Sequence, residues 1–212
     1  MKPNIDYTLY LVTDRGLMSA ESIESCVGRS VAGGCTVVQL REKDAPSLEF
    51  YKTAIRVREI TARLGVPLII NDRADIALAV GANGLHVGQD DLPYEAARKI
   101  VGHEMVVGVS AGNLEQALAA AHAGADYLGL GAFFATDTKT DATLMSIDEL
   151  KLIRRQVSIP LVAIGGINKA TIPQFASSGI DGIAVVSAVV SQPDETAAAR
   201  ELRELFESVC RS

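Results

Sequence analysis

Two kinds of apolar segment alternate along the chain. Eight short runs rich in Val, Ile and Leu are separated by longer stretches in which apolar residues recur at helical spacing. Short, nearly continuous apolar runs are typical of parallel strands that are buried on both faces. The predicted strands span residues 8–13, 36–40, 67–70, 84–87, 105–109, 127–130, 161–164 and 183–186.

The stretches between the strands are predicted to be helices. Phe50 and Ala54, for example, lie one turn apart on the same face of such a helix. Serines and prolines mark several helix starts, and glycines mark the ends. Each of three small motifs is predicted to close a helix and lead into a strand. They are Ala-Gly-Gly-Cys (32–35), Ala-Gly-Ala-Asp (123–126) and Ser-Gly-Ile-Asp (178–181).

Eight strand–helix repeats in 212 residues predict an α/β fold, a (β/α)8 TIM barrel that forms a single domain over residues 1–212. The alternative is a doubly wound open sheet, which rarely carries eight consecutive strand–helix units. No Gly-x-Gly-x-x-Gly motif follows the first strand, and this also favours the barrel.

Composition narrows the class of protein. The 20 Lys and Arg residues against 26 Asp and Glu residues give a net charge of -6, whereas proteins that bind nucleic acid usually carry a basic excess. No apolar run approaches the ~18 residues of a membrane span, and the first residues lack the apolar stretch of a signal peptide. We therefore expect a cytoplasmic protein without nucleic-acid or membrane partners. The sequence does not predict whether the chain forms a homo-oligomer.

The three cysteines are predicted to be buried free thiols. Cys26, Cys35 and Cys210 are an odd number and show no Cys-x-x-Cys spacing. This argues against a disulfide framework and against a zinc site.

Polar residues follow most of the predicted strands, at the end of a barrel where active sites lie. After strand 2, Gln39, Arg41 and Lys43 share one face because successive side chains alternate along a strand. The planar Arg fork and the Lys charge together suit a phosphate or diphosphate. The alternative is a solvated strand end, in which Arg41 pairs with Glu42 or Asp44.

Carboxylates follow the next two strands, Asp72 after strand 3 and Asp91 after strand 4. If these strands are neighbours, the two carboxylates approach each other and repel unless a cation lies between them. Oxygen ligands without nearby His or Cys favour Mg²⁺, which is usually held by one or two carboxylates plus substrate phosphate oxygens. The alternative is helix capping by Asp72 or Asp75 and by Asp91.

A second phosphate pocket is predicted over strands 7 and 8. Gly165 and Gly166 follow strand 7 and Ser187 follows strand 8, where this fold recurrently binds phosphate. The long polar loop after strand 6 carries a cation at Lys139 and suits a lid or a ligand clamp.

The polar rim as a whole predicts an enzyme that joins a diphosphate substrate to a monophosphate substrate. No nucleophile–base pair is evident in the sequence. His103 and His122 are expected in helices or at helix ends with structural or solvated roles, and a position of His86 at the barrel mouth is the less favoured interpretation.

Six motifs stand in order along the chain: Val-Gln-Leu-Arg-Glu-Lys (38–43), Ile-Asn-Asp (70–72), Leu-His-Val-Gly-Gln-Asp-Asp (85–91), Gly-Val-Ser (108–110), Thr-Asp-Thr-Lys (136–139) and Ile-Gly-Gly-Ile (164–167). Together they resemble the thiamine-phosphate synthase family, over a similarity that runs from Tyr10 to Ser187. The resemblance implies a transferase of thiamine biosynthesis. Such an enzyme joins hydroxymethylpyrimidine diphosphate to a thiazole phosphate and releases pyrophosphate, so its partners are these small-molecule substrates.

The resemblance also implies roles for individual residues. Asp72 and Asp91 would hold Mg²⁺, the implied cofactor. The groups that would act on the leaving diphosphate are Arg41, Lys43, Ser110 and Lys139. The implied pyrimidine diphosphate site is Gln39, Leu40, Arg41, Glu42, Lys43, Asn71, Ser110 and Lys139. The implied thiazole phosphate site is Thr136, Asp137, Thr138, Gly165, Val186 and Ser187.

The chain departs from the family pattern at two positions. Ala132 and Ala135 stand where the loop Gly-Pro-x-x-Pro-Thr-x-Thr-Lys usually has prolines, so the loop loses two restraints on φ. Two alternative functions remain, a related thiazole tautomerase and a catalytically silent thiamine-phosphate-binding regulator. The tautomerase needs neither Mg²⁺ nor a diphosphate clamp, so the set Arg41, Lys43, Asp91 and Lys139 favours the synthase.

Overall fold

The eight predicted strands form a closed parallel barrel. The computed structural model describes residues 2–135 and 144–211. Each strand pairs with the next along the chain, and β8 pairs with β1, which confirms the TIM barrel and excludes the open sheet. Strand ends differ from the prediction by at most two residues. The strands are β1 (Leu9–Val12), β2 (Val37–Leu40), β3 (Leu68–Asn71), β4 (Gly84–Val87), β5 (Val106–Ala111), β6 (Tyr127–Leu130), β7 (Leu161–Ala163) and β8 (Gly182–Val185).

Helices surround the barrel and cover its outward side chains. Several begin with a side-chain cap, for example at Ser146, whose Oγ accepts a hydrogen bond from the Glu149 amide at 3.1 Å. The helices are α1 (Ile23–Ala32), α2 (Ser47–Leu64), α3 (Ala74–Ala79), α4 (Tyr94–Val101), α5 (Leu114–Ala123), α6 (Ile147–Gln156), α7 (Ser187–Val190) and α8 (Glu195–Cys210).

The connection between β7 and β8 differs from the prediction. It contains only a single 3₁₀ turn, Ile172–Phe175, so the motif at 178–181 does not close an α-helix. Asn168 and Thr171 bond to backbone groups within the loop, as in the 2.8 Å bond from the Asn168 amide to the Thr171 Oγ1. Such local bonds compete with helix formation, and Pro173 has no N–H to donate.

Two layers of apolar packing hold the barrel. Leu9 and Leu11 face the helices, whereas Tyr10 and Val12 face the barrel interior, as strand alternation requires. The interior cluster is Tyr7, Tyr10, Val12, Val37, Ile69, Val106, Tyr127, Val162 and Ala184.

Carboxylates close the amino-terminal end of the barrel. Asp126 accepts the Val107 amide at 2.8 Å, and Asp181 accepts the Leu161 amide at 2.8 Å. These are the aspartates of two of the predicted small motifs, and each binds the backbone at the start of the preceding strand. These aspartates lie at the amino-terminal end of the barrel, opposite the end where active sites form. In this fold, polar contacts at the amino-terminal end serve stability.

The structure describes the three cysteines and bears on membrane-spanning helices. All three cysteines are free thiols, with Cys26 and Cys35 buried and Cys210 half-buried. Within residues 2–135 and 144–211, no helix combines the length and the apolar character that crossing a membrane requires.

Candidate active site

A cavity of about 760 Å³ opens at the carboxyl ends of the strands. All eight strands or the segments that follow them contribute to its wall. The predicted site residues that line it are Gln39, Arg41, Lys43, Asn71, Asp72, Asp91, Ser110, Gly165, Val186 and Ser187. Residues from six strand ends are therefore brought together in one space, as the rim pattern predicted.

The structure does not bring two predicted side chains into this cavity. Leu40 is fully buried among the outward-facing residues that pack on the helices, because it alternates with Gln39. Glu42 turns to the outside of the rim, where Arg15 donates two hydrogen bonds of 3.2 Å to its carboxylate.

The partner of Arg41 is a residue from the neighbouring strand end. The Arg41 Nη1 lies 2.9 Å from the Asp14 Oδ2, so the expected alternatives, pairing with Glu42 or Asp44, do not occur. Arg41 is about one quarter exposed and still lines the cavity. The pair holds the guanidinium at the mouth while leaving part of its fork accessible.

Asp72, Asp91 and Lys43 form one charged cluster. The Lys43 Nζ lies 2.6 Å from the Asp72 Oδ2, and the Asp91 carboxyl group lies close enough to that of Asp72 to shift its pKa. Burial raises the pKa of Asp72, and the neighbouring Asp91 raises it further against the opposing effect of Lys43. Burial also disfavours ionisation of Asp91, but bonds from Asp72 and from the Gly88 amide bring its pKa below the ordinary value. The pKa values of the two neighbouring carboxyl groups are therefore shifted in opposite directions, that of Asp72 upward and that of Asp91 downward.

Neither aspartate caps a helix. The residue before α3 is Arg73 and the residue before α4 is Pro93, and neither helix has a side-chain cap. Asp91 instead accepts the Gly88 amide at 2.8 Å. Asp72 has a φ of 62°, a left-handed conformation that costs a non-glycine residue free energy and that clusters at functional sites. The capping alternative is therefore excluded for both residues.

A buried hydrogen-bonded series, which sequence reasoning missed, forms the floor of the cavity. Gln39 Nε2 donates to the Tyr10 hydroxyl at 2.9 Å, and this hydroxyl lies 2.8 Å from that of Tyr127. The Tyr127 hydroxyl lies 2.9 Å from His86 Nδ1, and His86 Nε2 lies 2.9 Å from Ser110 Oγ. His86 thus lines the cavity, contrary to the favoured interpretation.

His86 and Ser110 form a contact that the sequence analysis did not predict. They are within hydrogen-bonding distance, but the group on the far nitrogen of His86 is the hydroxyl of Tyr127 and not the carboxylate that orients the base in a hydrolytic triad. Burial lowers the pKa of His86 to about 4, so the ring is neutral near pH 7.

The opposite wall is formed by backbone. Gly165 has a φ of 97°, and a Cβ at this position would lie 2.4 Å from that of Ala132. Ser187 is the first residue of the short helix α7, directly after β8. The remaining predicted residues of this wall, and the cation of its loop, lie outside the described residues. They are Thr136, Asp137, Thr138 and Lys139.

Comparisons with known proteins agree along the whole chain. A family model described as thiamine monophosphate synthase matches residues 9–189. The chain belongs to the thiamine monophosphate synthase family. A thiamine-phosphate synthase of Clostridium beijerinckii is 56% identical over 206 residues, covering 97% of this chain and 99% of the relative. That of Ruminiclostridium cellulolyticum is 58% identical over 206 residues, covering 97% and 98%.

A solved structure supports the same assignment. The thiamine phosphate pyrophosphorylase from Pyrococcus furiosus is 40% identical, with a TM-score of 0.89 over 96% of this chain and 97% of that chain. Membership in the thiamine monophosphate synthase family confirms the predicted resemblance and the prediction of an enzyme of the transferase class.

The carboxylates of Asp72 and Asp91 fit a magnesium ion that takes few ligands from the protein. Across residues 2–135 and 144–211, no cluster of three or more His, Cys, Asp or Glu side chains could hold a metal. Asp72 and Asp91 together supply neighbouring oxygen donors, and a cation between them would relieve their repulsion. An ion at this place needs further oxygen ligands from substrate or water, which is the coordination that Mg²⁺ favours.

Proposed function

We propose that the protein is a thiamine-phosphate synthase that joins hydroxymethylpyrimidine diphosphate to thiazole phosphate and releases pyrophosphate. The observation that carries the proposal is the cluster of Lys43, Asp72 and Asp91, which faces the same cavity as the backbone-lined pocket at Gly165 and Ser187. With a divalent cation bound, the charged end would be net positive, so this end and the neutral backbone-lined end suit a diphosphate and a monophosphate, respectively. The curated relatives carry the same name.

Charged side chains are assigned to binding of the diphosphate. Arg41 and Lys43 bind phosphate oxygens, and Asp72 with Asp91 hold Mg²⁺. Bound there, Mg²⁺ would supply charge neutralisation for the departing pyrophosphate. Lys43 already lies 2.6 Å from Asp72, beside the place where the ion would be held. Lys139 stays a prediction for the same role.

The pyrimidine and the thiazole are assigned to the polar groups beside these charges. Gln39 and Asn71 bind the pyrimidine ring, and Ser110 donates to the diphosphate. Gly165, Val186 and Ser187 hold the thiazole phosphate, with Thr136 and Thr138 as predicted partners. The cavity positions the two substrates, and positioning is itself a large part of catalysis.

The reaction requires no general base. The aminopyrimidine ring stabilises a positive charge on its methylene carbon, so the bond to the diphosphate breaks first and the thiazole nitrogen then forms its bond to that carbon. The attacking nitrogen carries no proton. The neutral His86 is therefore not required to remove one, and catalysis consists of charge stabilisation and orientation.

Pyrophosphate release tests the proposal directly. The purified protein, incubated with both substrates, is expected to release pyrophosphate and form thiamine phosphate only when Mg²⁺ is present. Isomerisation of the thiazole without pyrophosphate would instead identify a tautomerase. Binding of thiamine phosphate without either reaction would identify a regulator.

Ser187→Ala is expected to raise the KM for thiazole phosphate by about 10-fold, the usual effect of losing one hydrogen bond to a charged group. The KM for the pyrimidine diphosphate should change little, because Ser187 follows β8, which lies four strands across the closed barrel from β4 and the Asp91 that follows it. Steady-state kinetics with each substrate varied in turn measures both constants.

Ser158→Ala serves as the matched control. Ser158 is an exposed serine just before β7, at the amino-terminal end of the barrel, and does not line the cavity. Its substitution should leave both constants unchanged. If Ser187→Ala raised the KM of the diphosphate substrate instead, the assignment of the two pockets would be reversed.

A further inference from the structure

The buried series on the cavity floor connects two ends of the proposed active site. It runs from Gln39 on β2 through Tyr10, Tyr127 and His86 to Ser110 on β5, with four consecutive contacts of 2.8–2.9 Å. We refer to Tyr10, Tyr127 and His86 as the relay. All three are buried, with Tyr127 completely inaccessible. The function proposed above uses only the two ends, Gln39 and Ser110.

Each member of the relay has a single hydrogen to donate. A tyrosine hydroxyl carries one, and a neutral imidazole carries one on one of its two nitrogens. Burial keeps His86 neutral. Such a series has only two arrangements in which every hydrogen of the relay is paired, because reversing one hydrogen bond without the next leaves a buried hydrogen without an acceptor.

The amide of Gln39 selects between these arrangements. With Nε2 donating to Tyr10, Tyr10 donates to Tyr127, and Tyr127 donates to His86 Nδ1. The ring hydrogen is then on Nε2 and points at Ser110 Oγ. The hydroxyl hydrogen of Ser110 has no place in the series and is directed into the cavity.

The reversed arrangement has the opposite effect. If Gln39 turned its Oε1 to Tyr10, every hydrogen bond would reverse, and Ser110 would donate to His86. Ser110 would then present only lone pairs to the cavity. A diphosphate oxygen would meet a repulsive acceptor where the first arrangement offers it a donor.

We propose that the relay couples recognition of the amino group of the pyrimidine at Gln39 to hydrogen-bond donation by Ser110 to the departing diphosphate. This inference rests on the function proposed above. A ligand amino group donates to Oε1 of Gln39 and so keeps Nε2 on Tyr10. A ligand with an oxo group at the same place requires Nε2 and reverses the series. Tyr10, Tyr127 and His86 are positioning residues in this scheme, and no proton is transferred along them.

Two glycines make the relay sterically feasible. Gly108 on β5 lies between His86 and Tyr127 in the strand register. A Cβ on Gly108 would be 2.1 Å from Cζ of Tyr127, so only glycine lets the phenol cross β5 to reach His86. A Cβ on Gly129 would be 3.0 Å from the His86 ring. The barrel interior thus lacks side chains where the relay passes.

A double-mutant cycle distinguishes the relay from a purely structural cluster. Tyr127→Phe removes one hydroxyl and interrupts the series, and Ser110→Ala removes its end. Each is expected to lower kcat by about 10-fold, the usual effect of a lost hydrogen bond to a charged group. KM for thiazole phosphate should not change. The double variant should match Ser110→Ala within about twofold, because both substitutions remove the same donor.

Tyr7→Phe is the matched control. Tyr7 belongs to the same buried cluster, with its ring centroid 4.8 Å from that of Tyr127, but it is not part of the series. Its kcat should equal that of the wild type. If Tyr127→Phe does not fold, as judged by thermal unfolding, Tyr10→Phe interrupts the series one contact earlier and replaces it in the cycle.

Nitrogen NMR of histidine-labelled protein reports the arrangement without any assay. With the pyrimidine diphosphate bound, His86 should carry its hydrogen on Nε2 and not on Nδ1. The opposite tautomer, multiplicative effects in the cycle, or a wild-type kcat for Tyr127→Phe would each overturn the relay alone. Absence of pyrophosphate release by the wild-type protein would overturn the proposed function and the relay with it.

Discussion

Asp91→Asn is expected to lower turnover by about 100-fold or more. Removing the carboxylate would leave the proposed Mg²⁺ with one charged protein ligand, and metal or oxyanion stabilisation of developing charge typically contributes several kcal/mol. The amide retains an oxygen that can accept the Gly88 amide, now bonded to Asp91 at 2.8 Å. The local fold should therefore persist. Pyrophosphate release over a range of Mg²⁺ concentrations measures both the maximal rate and the metal requirement.

The folded protein without metal provides the contrasting measurement for Asp91. Asp72 and Asp91 repel each other unless they share a proton or a cation, so Asp91→Asn should not lower the thermal unfolding temperature in the absence of Mg²⁺. Asp75→Asn is the charge-matched control, because Asp75 is exposed and pairs with Arg73 outside the cavity. Full activity of Asp91→Asn at ordinary Mg²⁺ concentrations would remove Asp91 from the metal site.

The barrel could be predicted because its strands are buried on both faces. Such strands are nearly continuous runs of Val, Ile and Leu, and glycine and polar residues mark their ends. The predicted strand that ends at Ile164 and the one that begins at Ile183 were correct, whereas the helix expected between them was not. The loop there satisfies its backbone through Asn168 and Thr171, and sequence periodicity does not reveal such local bonds.

The charged part of the site was also predictable, although its pairings were not. Parallel neighbouring strands bring Asp72 and Asp91 to one rim whatever their exact conformation, so their proximity followed from strand order. The left-handed φ of Asp72 did not, because tertiary contacts select it. The Arg41 partner, Asp14, comes from a strand 27 residues earlier, and no local pattern distinguishes it from Glu42.

The buried series was missed because its members lie far apart in the chain. Tyr10 and Tyr127 are 117 residues apart, and His86 lies on a third strand. A signal nevertheless exists in the sequence. Each occupies an inward position of an otherwise apolar strand, and Gly108 supplies an inward position without a side chain between two of them. Polar residues and glycines at positions that face the barrel interior on neighbouring strands are the pattern that would have predicted this contact.

Gly108→Ala should lower the unfolding temperature by about 5–10 °C and severely impair turnover. Its Cβ would lie 2.1–2.5 Å from the Cζ, Cε1 and hydroxyl oxygen of Tyr127, a ring that has no exposed surface and little room to move. Overpacking of this kind costs about 1–3 kcal/mol, and each kcal/mol shifts the unfolding temperature of a chain of this size by about 2–4 °C. Displacement of Tyr127 also breaks its contact with His86. Thermal unfolding and pyrophosphate release measure the two effects on one preparation.

Gly28→Ala is the control, with an effect of the opposite sign. Gly28 lies inside α1, and a Cβ there would meet no atom within 4 Å. Alanine has a helix propensity about 1 kcal/mol more favourable than that of glycine, so this variant should unfold at a temperature about 2–4 °C higher than the wild type. The same chemical change is thus expected to stabilise the outer helix and to destabilise the barrel interior. An unchanged unfolding temperature for Gly108→Ala would mean that the phenol ring does not cross β5 at this glycine, and the link from Tyr127 to His86 would have no structural basis.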